Sequence, residues 1–300
     1  MENRLKRAAK LHYLRPSYLR NRYRVSSNDL LLLYTRFLYK PKADHFKDLR
    51  TMVLNAHPNI VMTDEAELKT FLQINDRYVE LPNWQYKLFN FLLKIDRYRY
   101  LSWKISFDKN KLEHNRRGYP REERYVYITG QYQGRFQKLH VIGNKNSARD
   151  INILANTSFL KNLRSKLEDN KISLKFILIT RDLYDTVASA AQQWYDGSMD
   201  EAIESISEVC EWNQKILEQI DSNDVFICRN EDLIANPKLQ ITRLCDFLKV
   251  STSADYINAC ASRVVNKPTK SEFKPEWSNQ HKEKINSLIK KYDFLSSYDC

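Results

Sequence analysis

Apolar residues fall into two kinds of segment along the second half of the chain. Short, continuous apolar runs are typical of buried strands, whereas apolar residues spaced three or four apart are typical of helices. The pattern predicts strands at 124–128, 138–142, 174–180 and 224–229, and helices near 151–167, 185–195, 200–219 and 237–248. Strands that alternate with helices predict an α/β fold, in which helices flank a central parallel β-sheet.

The first half of the chain begins with a basic arm. Residues 1–24 hold eight Lys or Arg and one acidic residue, and we expect a helical or disordered segment there. A continuous apolar and aromatic run at 30–39 predicts a buried strand. The pattern then predicts a helix at 48–56, a short strand at 60–62 and an aromatic helix at 84–105.

Residues 25–300 are interpreted as a single domain, and 76–137 as an insertion that covers the substrate or forms a lid. The insertion interleaves Trp and Tyr residues with Arg residues. Aromatic rings beside basic groups suit a saccharide or an acidic acceptor. A packed helical lid is the structural alternative.

Composition limits the classes of protein to consider. No apolar run reaches 18 residues, so no membrane span is expected. The N-terminus lacks the apolar core and cleavage site of a secretory signal, which favours a cytoplasmic protein. The five cysteines form no CxxC pair and have no metal-ligand spacing with the histidines. We therefore expect thiols in a reducing compartment, and no structural zinc.

The chain carries a net charge of +12, from 49 Lys and Arg against 37 Asp and Glu. A basic surface attracts anionic partners over a long range. Nucleic acid, acidic glycans, anionic lipids and nucleotide phosphates all fit this charge, and a solvated basic face is the structural alternative. The charge does not predict an oligomeric state.

The segment 174–194 carries the clearest chemical signal. An apolar run ends at Arg181, a helix follows for which Asp185 and Thr186 are candidate caps, and Ser189 lies in its first turns. The amino end of a helix supplies free N–H donors and Arg gives bidentate contacts, so these parts together can bind a phosphate. The structural alternative is a strand-helix unit with an incidental surface Arg.

The pattern R-D, six intervening residues and then Ser, after an apolar strand, resembles the sulfotransferase superfamily. That resemblance implies that Arg181 and Ser189 bind the 3′-phosphate of 3′-phosphoadenosine 5′-phosphosulfate (PAPS). Upstream, LHVIGNKNS at 139–147 resembles the family's strand that ends in a catalytic lysine, which is Lys145 here. Downstream, residues 225–250 resemble the segment that closes the nucleotide site. Asn230 there replaces a tyrosine that lies near the adenine in the family.

The resemblance also implies a three-layer architecture like that of P-loop NTP hydrolases, and a 5′-phosphosulfate loop after the first strand. The loop residues that match are Lys42 and His45, with Lys47 nearby, but Asp44 stands where the family has glycine. Glycine lets backbone amides approach a phosphate closely. Either the basic side chains compensate, or the loop no longer holds phosphosulfate. No G-x-x-x-x-G-K-[ST] sequence occurs, which argues against an ATP-using P-loop enzyme.

The general base is the second open point. Cytosolic small-molecule sulfotransferases have a histidine two residues after the lysine, where this chain has Ser147. Glu65 falls where other members of the superfamily place a glutamate base. The alternative is that Glu65 only complements the dipole of a helix that begins near residue 63.

The resemblance thus implies a metal-independent sulfotransferase with PAPS as co-substrate. Glu65 would deprotonate an acceptor hydroxyl, while Lys145, with Lys42 or His45, would neutralise the charge that develops on the sulfuryl and phosphate oxygens. The acceptor would be a saccharide or another biomolecule. Two alternatives stay open: a catalytically impaired protein that binds a 3′-phosphoadenosine nucleotide, and a basic nucleic-acid-associated protein.

Overall fold

Five parallel strands form the sheet of this protein in a computed structural model, which describes residues 31–37, 53–64, 92, 128, 130–132, 136–145, 151–169, 171–264 and 275–299. The strand order in the sheet is β2-β3-β1-β4-β5. The strands are β1 (Leu31–Phe37), β2 (Ile60–Asp64), β3 (Val141–Lys145), β4 (Ser173–Thr180) and β5 (Val225–Arg229).

Nine helices and two 3₁₀ turns accompany these strands in the described residues. They are α1 (Leu54–Ala56), α2 (Ile151–Leu154), α3 (Thr157–Asp169), α4 (Leu183–Trp194), α5 (Met199–Leu217), a 3₁₀ turn (Ser222–Asp224), α6 (Asn230–Ala235), α7 (Pro237–Phe247), α8 (Ala254–Ala261), α9 (Asn279–Lys291) and a C-terminal 3₁₀ segment (Asp293–Tyr298). The predicted α/β fold is therefore confirmed. None of the helices in these parts of the chain combines the length and apolarity needed to cross a membrane.

Strand β4 is buried on both sides, which explains its continuous apolar sequence. Leu174 and Phe176 pack in a cluster with α3, and Leu178 packs in a cluster with α4, α5 and α9. Ile177 and Ile179, which point to the opposite face, pack with buried residues of α7 and α8.

The strand order singles out one edge of the sheet for a ligand. β1 and β4 are neighbours, but the chain leaves β1 towards β2 on one side and leaves β4 towards β5 on the other. In open parallel sheets, ligands bind outside the carboxyl ends of strands at such a switch in direction. The edge formed by the ends of β1 and β4 is therefore the place where a ligand site is expected.

Three predicted elements differ from the observed ones. The strand predicted at 138–142 occupies Val141–Lys145, because the polar residues at its end are buried in the sheet rather than leaving it. The helix predicted at 151–167 is two helices, since the Asn156 Oδ1 atom accepts a hydrogen bond from the N–H of Phe159 (3.0 Å) and caps the second one. Of the strand predicted at 124–128, Ile128 is described and is not in a strand.

The predicted caps of α4 are wrong. The helix begins at Leu183 and its N-cap is Asp182, whose Oδ1 accepts a hydrogen bond from the N–H of Asp185 (2.8 Å). Thr186 instead donates from Oγ1 to the carbonyl oxygen of Asp182 (2.7 Å). The Asp185 side chain therefore does not cap the helix and can contact Arg181.

The cysteines that the structure describes are reduced and buried, in agreement with the prediction of thiols. They are Cys210, Cys228, Cys245 and Cys260.

Candidate active site

Lys145 is the last residue of β3 and its side chain is buried, with 5% exposed. In the sheet it lies level with Asp64 of β2 and Thr35 of β1. Glu65, the predicted base, follows Asp64 directly but lies outside the described residues. Asp64, the residue before Glu65, therefore ends β2 next to Lys145.

The strand ends around Lys145 are held by buried hydrogen bonds. The Thr63 hydroxyl shares its single hydrogen between the Asn144 Oδ1 atom (2.9 Å) and the carbonyl oxygen of Gly143 (3.1 Å). Asn55 of α1 donates to the carbonyl oxygen of Met62 and accepts from its N–H, at 3.0 and 2.6 Å. Satisfied buried polar groups make this part of the sheet rigid.

Strand β1 ends at the same edge of the sheet as Lys145, because all five strands are parallel. Lys42, His45 and Lys47 follow β1 in the sequence and lie outside the described residues. Their predicted contacts with a 5′-phosphosulfate stay predictions.

Arg181 directly follows β4 and contacts Asp185. The distance from the Arg181 Nη2 atom to the Asp185 Oδ2 atom is 3.1 Å, and the Arg side chain is 14% exposed. A guanidinium has five N–H donors in a fixed plane. The ion pair therefore helps to orient the Arg181 guanidinium at the amino end of α4.

Ser189 lies on the same face of α4 as Asp185, because residues four apart in a helix are neighbours on its surface. The Ser189 side chain is buried, with 5% exposed, and its Oγ atom accepts a hydrogen bond from the Nε2 atom of Gln193 (3.2 Å). The hydroxyl hydrogen can then be donated elsewhere. The helix thus carries Arg181, through its Asp185 contact, and Ser189 on one face.

Several carboxylates surround the amino end of α4. Burial raises the pKa of Asp182, and the negative charges of Asp185 and Glu231 raise it further, against the opposing hydrogen bond from the Asp185 N–H and the charge of Arg181. The positive charge of Arg181 and the positive end of the helix dipole offset these negative charges.

Asn230 begins α6 at the carboxyl end of β5. It is 3% exposed, and its Oδ1 atom has no hydrogen-bond partner among the residues that the structure describes. The neighbouring Arg229 lies with its guanidinium carbon 4.6 Å from the ring centre of Tyr298. The buried amide replaces the tyrosine of the family's pattern, and the predicted contact of Asn230 with a nucleotide stays a prediction.

Glu231 joins three segments of the chain. Its Oε1 atom accepts a hydrogen bond from the N–H of Asp182 (3.1 Å), and its Oε2 atom accepts one from the hydroxyl of Tyr298 (2.7 Å). The Tyr298 hydroxyl also lies 3.3 Å from the Oγ1 atom of Thr180. Because the single Tyr298 hydrogen goes to the carboxylate, Thr180 is the donor in that second contact.

Sequence reasoning missed two parts of this arrangement. Glu231 stands in the R-N-E-D-L segment that carries the resemblance. That position could have marked Glu231 as part of the site, but no role was assigned to it from the sequence. Tyr298 gives no local signal, because it is 67 residues from Glu231 in the chain. Among the described residues, no group of three or more His, Cys, Asp or Glu converges as a metal site would require.

A family model described as a sulfotransferase domain matches residues 54–297, most of the 300-residue chain. The chain belongs to the sulfotransferase domain family. Sulfuryl transfer is the chemistry that this domain supports, and the resemblance inferred from the sequence is confirmed. The matched range of the sulfotransferase domain includes Glu65, Lys145 and Arg181, whereas the loop with Lys42 and His45 precedes it.

Solved structures similar to this sulfotransferase domain are remote in sequence. A sulfotransferase from Mycobacterium avium is 12% identical, with a TM-score of 0.47, and the match covers 98% of this chain and 81% of that one. A sulfotransferase from Alicyclobacillus acidocaldarius is 13% identical, with a TM-score of 0.43, over 88% and 94%. A mouse sulfotransferase complexed with PAP is 8% identical, with a TM-score of 0.44, over 91% and 87%.

Curated proteins were also compared with the sulfotransferase domain, and none of them matches the chain significantly. The family membership therefore rests on the match to the family model.

Proposed function

We propose that this sulfotransferase domain transfers a sulfuryl group from PAPS to a hydroxyl of an acceptor, which is a saccharide or another biomolecule. The proposal includes the three-layer architecture of the family and a nucleotide that lies along the carboxyl edge of the sheet. The observation that carries it is the placement of Arg181, Asp185 and Ser189 at the switch in strand direction between β1 and β4.

The sheet geometry supports one nucleotide that reaches both candidate phosphate sites. Lys145 is level with Ile177 of β4 across β1, and Arg181 lies four residues beyond Ile177. With strands spaced about 4.8 Å apart and about 3.3 Å per residue, the two positions differ by about 10 Å across the sheet and about 13 Å along it.

Each residue has a defined part in the proposed reaction. Arg181 and Ser189 hold the 3′-phosphate, and Glu65 removes the proton of the acceptor hydroxyl. Lys145 neutralises the negative charge that develops on the transferred group and the leaving phosphate, a purely electrostatic contribution that strengthens in a buried site. Lys42, His45 and Lys47 assist from the loop after β1, and no metal is required.

Asp44 favours a second candidate function. A carboxylate in the first phosphate loop opposes a bound 5′-phosphosulfate, and the chain has no glycine before Gly118. The alternative is a protein that still binds the 3′-phosphate of a 3′-phosphoadenosine nucleotide but does not transfer sulfate.

Calorimetric titration with 3′-phosphoadenosine 5′-phosphate (PAP) tests the proposal directly. We expect wild-type protein to bind PAP, and Arg181→Ala to lose at least tenfold in affinity, since a charge-assisted bidentate contact is removed. Glu211→Ala, which removes one partner of an exposed pair with Lys215 on α5, is the matched control and keeps wild-type affinity.

Transfer of sulfate from labelled PAPS to candidate acceptors, with Glu65→Gln as the inactive control, then separates the two functions. Absence of PAP binding by the wild type would refute both proposed functions. Binding that depends on Arg181 but not on Lys42, without sulfate transfer to any acceptor, would support the non-catalytic protein.

A further inference from the structure

We infer that Glu231 and Tyr298 are positioning residues of the 3′-phosphate site, because together they tie the end of the chain to the loop that carries Arg181. The inference rests on the proposed function. Two hydrogen bonds to the Glu231 carboxylate, one from the Asp182 N–H and one from the Tyr298 hydroxyl, form a unit that we call the latch.

The latch acts on the residue next to Arg181. Asp182 donates its N–H to Glu231 and uses its side chain to cap α4, so its backbone is fixed from both directions. Arg181 lies between Asp182 and the end of β4, and its guanidinium is oriented by Asp185. A shift of Asp182 therefore moves both the helix end and the Arg181 backbone.

Tyr298 holds Glu231 from the other side. The 2.7 Å contact between the tyrosine hydroxyl and a carboxylate oxygen is a charge-assisted hydrogen bond, which is stronger than a neutral one. Burial raises the pKa of Tyr298, and the bond to Glu231 adds to the rise, so the hydroxyl stays a donor at neutral pH. The ring itself packs under the Arg229 guanidinium.

The C-terminal 3₁₀ segment that carries Tyr298 is anchored independently of the latch. Phe294 and Leu295 are buried in the cluster formed by α4, α5 and α9. Loss of the Tyr298 hydroxyl therefore leaves the segment in place, while the Glu231 carboxylate loses a donor and the Thr180 hydroxyl loses an acceptor. That separation makes a specific test possible.

Tyr298→Phe removes the hydroxyl and keeps the ring against Arg229. We expect its affinity for PAP to fall about 5- to 10-fold, and that of Glu231→Ala to fall more, about 10- to 100-fold. Glu231→Gln restores part of the loss, since its amide can accept from the Asp182 N–H and donate to the Tyr298 oxygen. Affinity for adenosine 5′-phosphate, which lacks the 3′-phosphate, stays at the wild-type value in all three variants.

Tyr292→Phe is the matched control. Tyr292 precedes the same 3₁₀ segment and is 2% exposed, but its hydroxyl makes no hydrogen bond of normal geometry with the residues that the structure describes. The same chemical change there should leave the affinities for both nucleotides unaltered.

Amide hydrogen exchange provides a readout that needs no ligand. We expect the Asp182 N–H to exchange about tenfold faster in Tyr298→Phe and Glu231→Ala, with no change at Leu178 in the middle of β4. Unchanged Asp182 exchange in both variants would overturn the inference. An equal loss of affinity for both nucleotides would overturn it too, since that outcome indicates general destabilisation. A wild-type protein with no preference for the 3′-phosphate would refute the proposed function instead, while the exchange data would still decide the latch.

Discussion

His57 joins two parts of the fold that are far apart in sequence, and its replacement tests how the structure is held. The imidazole is 1% exposed. Its Nε2 atom lies 2.8 Å from the carbonyl oxygen of Ser251, and its Nδ1 atom accepts a hydrogen bond from the N–H of Asn59 (3.1 Å). The ring is therefore neutral, with its single hydrogen on Nε2 and donated to Ser251.

His57→Ala leaves both backbone groups without their partner and removes an edge contact with the Tyr256 ring, whose centre is 5.0 Å away. An unsatisfied buried group costs about 1–3 kcal/mol, and a ring pair contributes about 0.5–1.5 kcal/mol. We expect a loss of about 3–4 kcal/mol in the free energy of unfolding. His57→Gln keeps a donor for Ser251, so we expect a smaller loss of about 1–2 kcal/mol.

The same residue predicts a dependence on pH. Burial lowers the pKa of His57 below its usual 6.5, and the nearby His140 lowers it further, against the opposing effect of the Ser251 hydrogen bond. The unfolded chain then binds more protons than the folded one below about pH 6.5, so stability is complete above that pH and falls as the pH falls. Between pH 7.5 and 5.5 the loss from this group reaches up to about 1.4 kcal/mol.

Urea unfolding followed by tryptophan fluorescence at both pH values measures these effects. The wild type should lose more stability between pH 7.5 and 5.5 than His57→Gln does, because the variant has no titrating group at this position. Equal losses in the two proteins would refute the assignment of a buried neutral imidazole. A cost of His57→Ala below about 1 kcal/mol at pH 7.5 would refute the hydrogen-bond reasoning.

Two further predictions concern the core. Asp224→Ala should lower the free energy of unfolding by about 1–3 kcal/mol, because the buried Lys175 ammonium loses a carboxylate partner at 3.0 Å. Glu211→Ala, which disrupts an exposed pair, should change the free energy of unfolding by less than about 1 kcal/mol in the same urea titration. Burial raises the pKa of the Cys228, Cys245 and Cys260 thiols to about 12. Peptide mapping should therefore find these thiols unlabelled by a thiol reagent at pH 8 in the folded protein, and labelled in urea. Rapid labelling without urea would contradict their burial.

The strand-helix unit at 174–194 could be predicted from the sequence because its signals are local. A strand covered on both faces has a continuous apolar sequence, and that signal needs no knowledge of the rest of the chain. Arg181 and Ser189 became candidate phosphate-binding residues because they lie at fixed distances from that strand in the sequence. The cap was misjudged by three residues, since Asp182 and Asp185 are equally good capping residues and only their geometry separates them.

The resemblance in GNK and RNEDL led to the correct family, but not to the contacts within the fold. Sequence spacing could not reveal the strand order, which brings β1 and β4 side by side at the switch in direction. It also could not pair Glu231 with Tyr298, because the two residues meet only after α7, α8 and α9 have packed. The roles of Glu65, Lys42, His45 and Lys47 stay predictions from the sequence.

The sequence by itself determined the type of each strong element, the sulfotransferase family and the candidate anion-binding residues, since these depend on local periodicity and short motifs. Only the tertiary structure decided what holds them in place. Asp185 orients Arg181, Glu231 and Tyr298 fix the neighbouring Asp182, and His57 bonds to a carbonyl 194 residues away. The physical reason is that hydrogen bonds between distant segments depend on how the chain packs. Such packing produces no periodic pattern of residues from which the bonded pairs could be predicted.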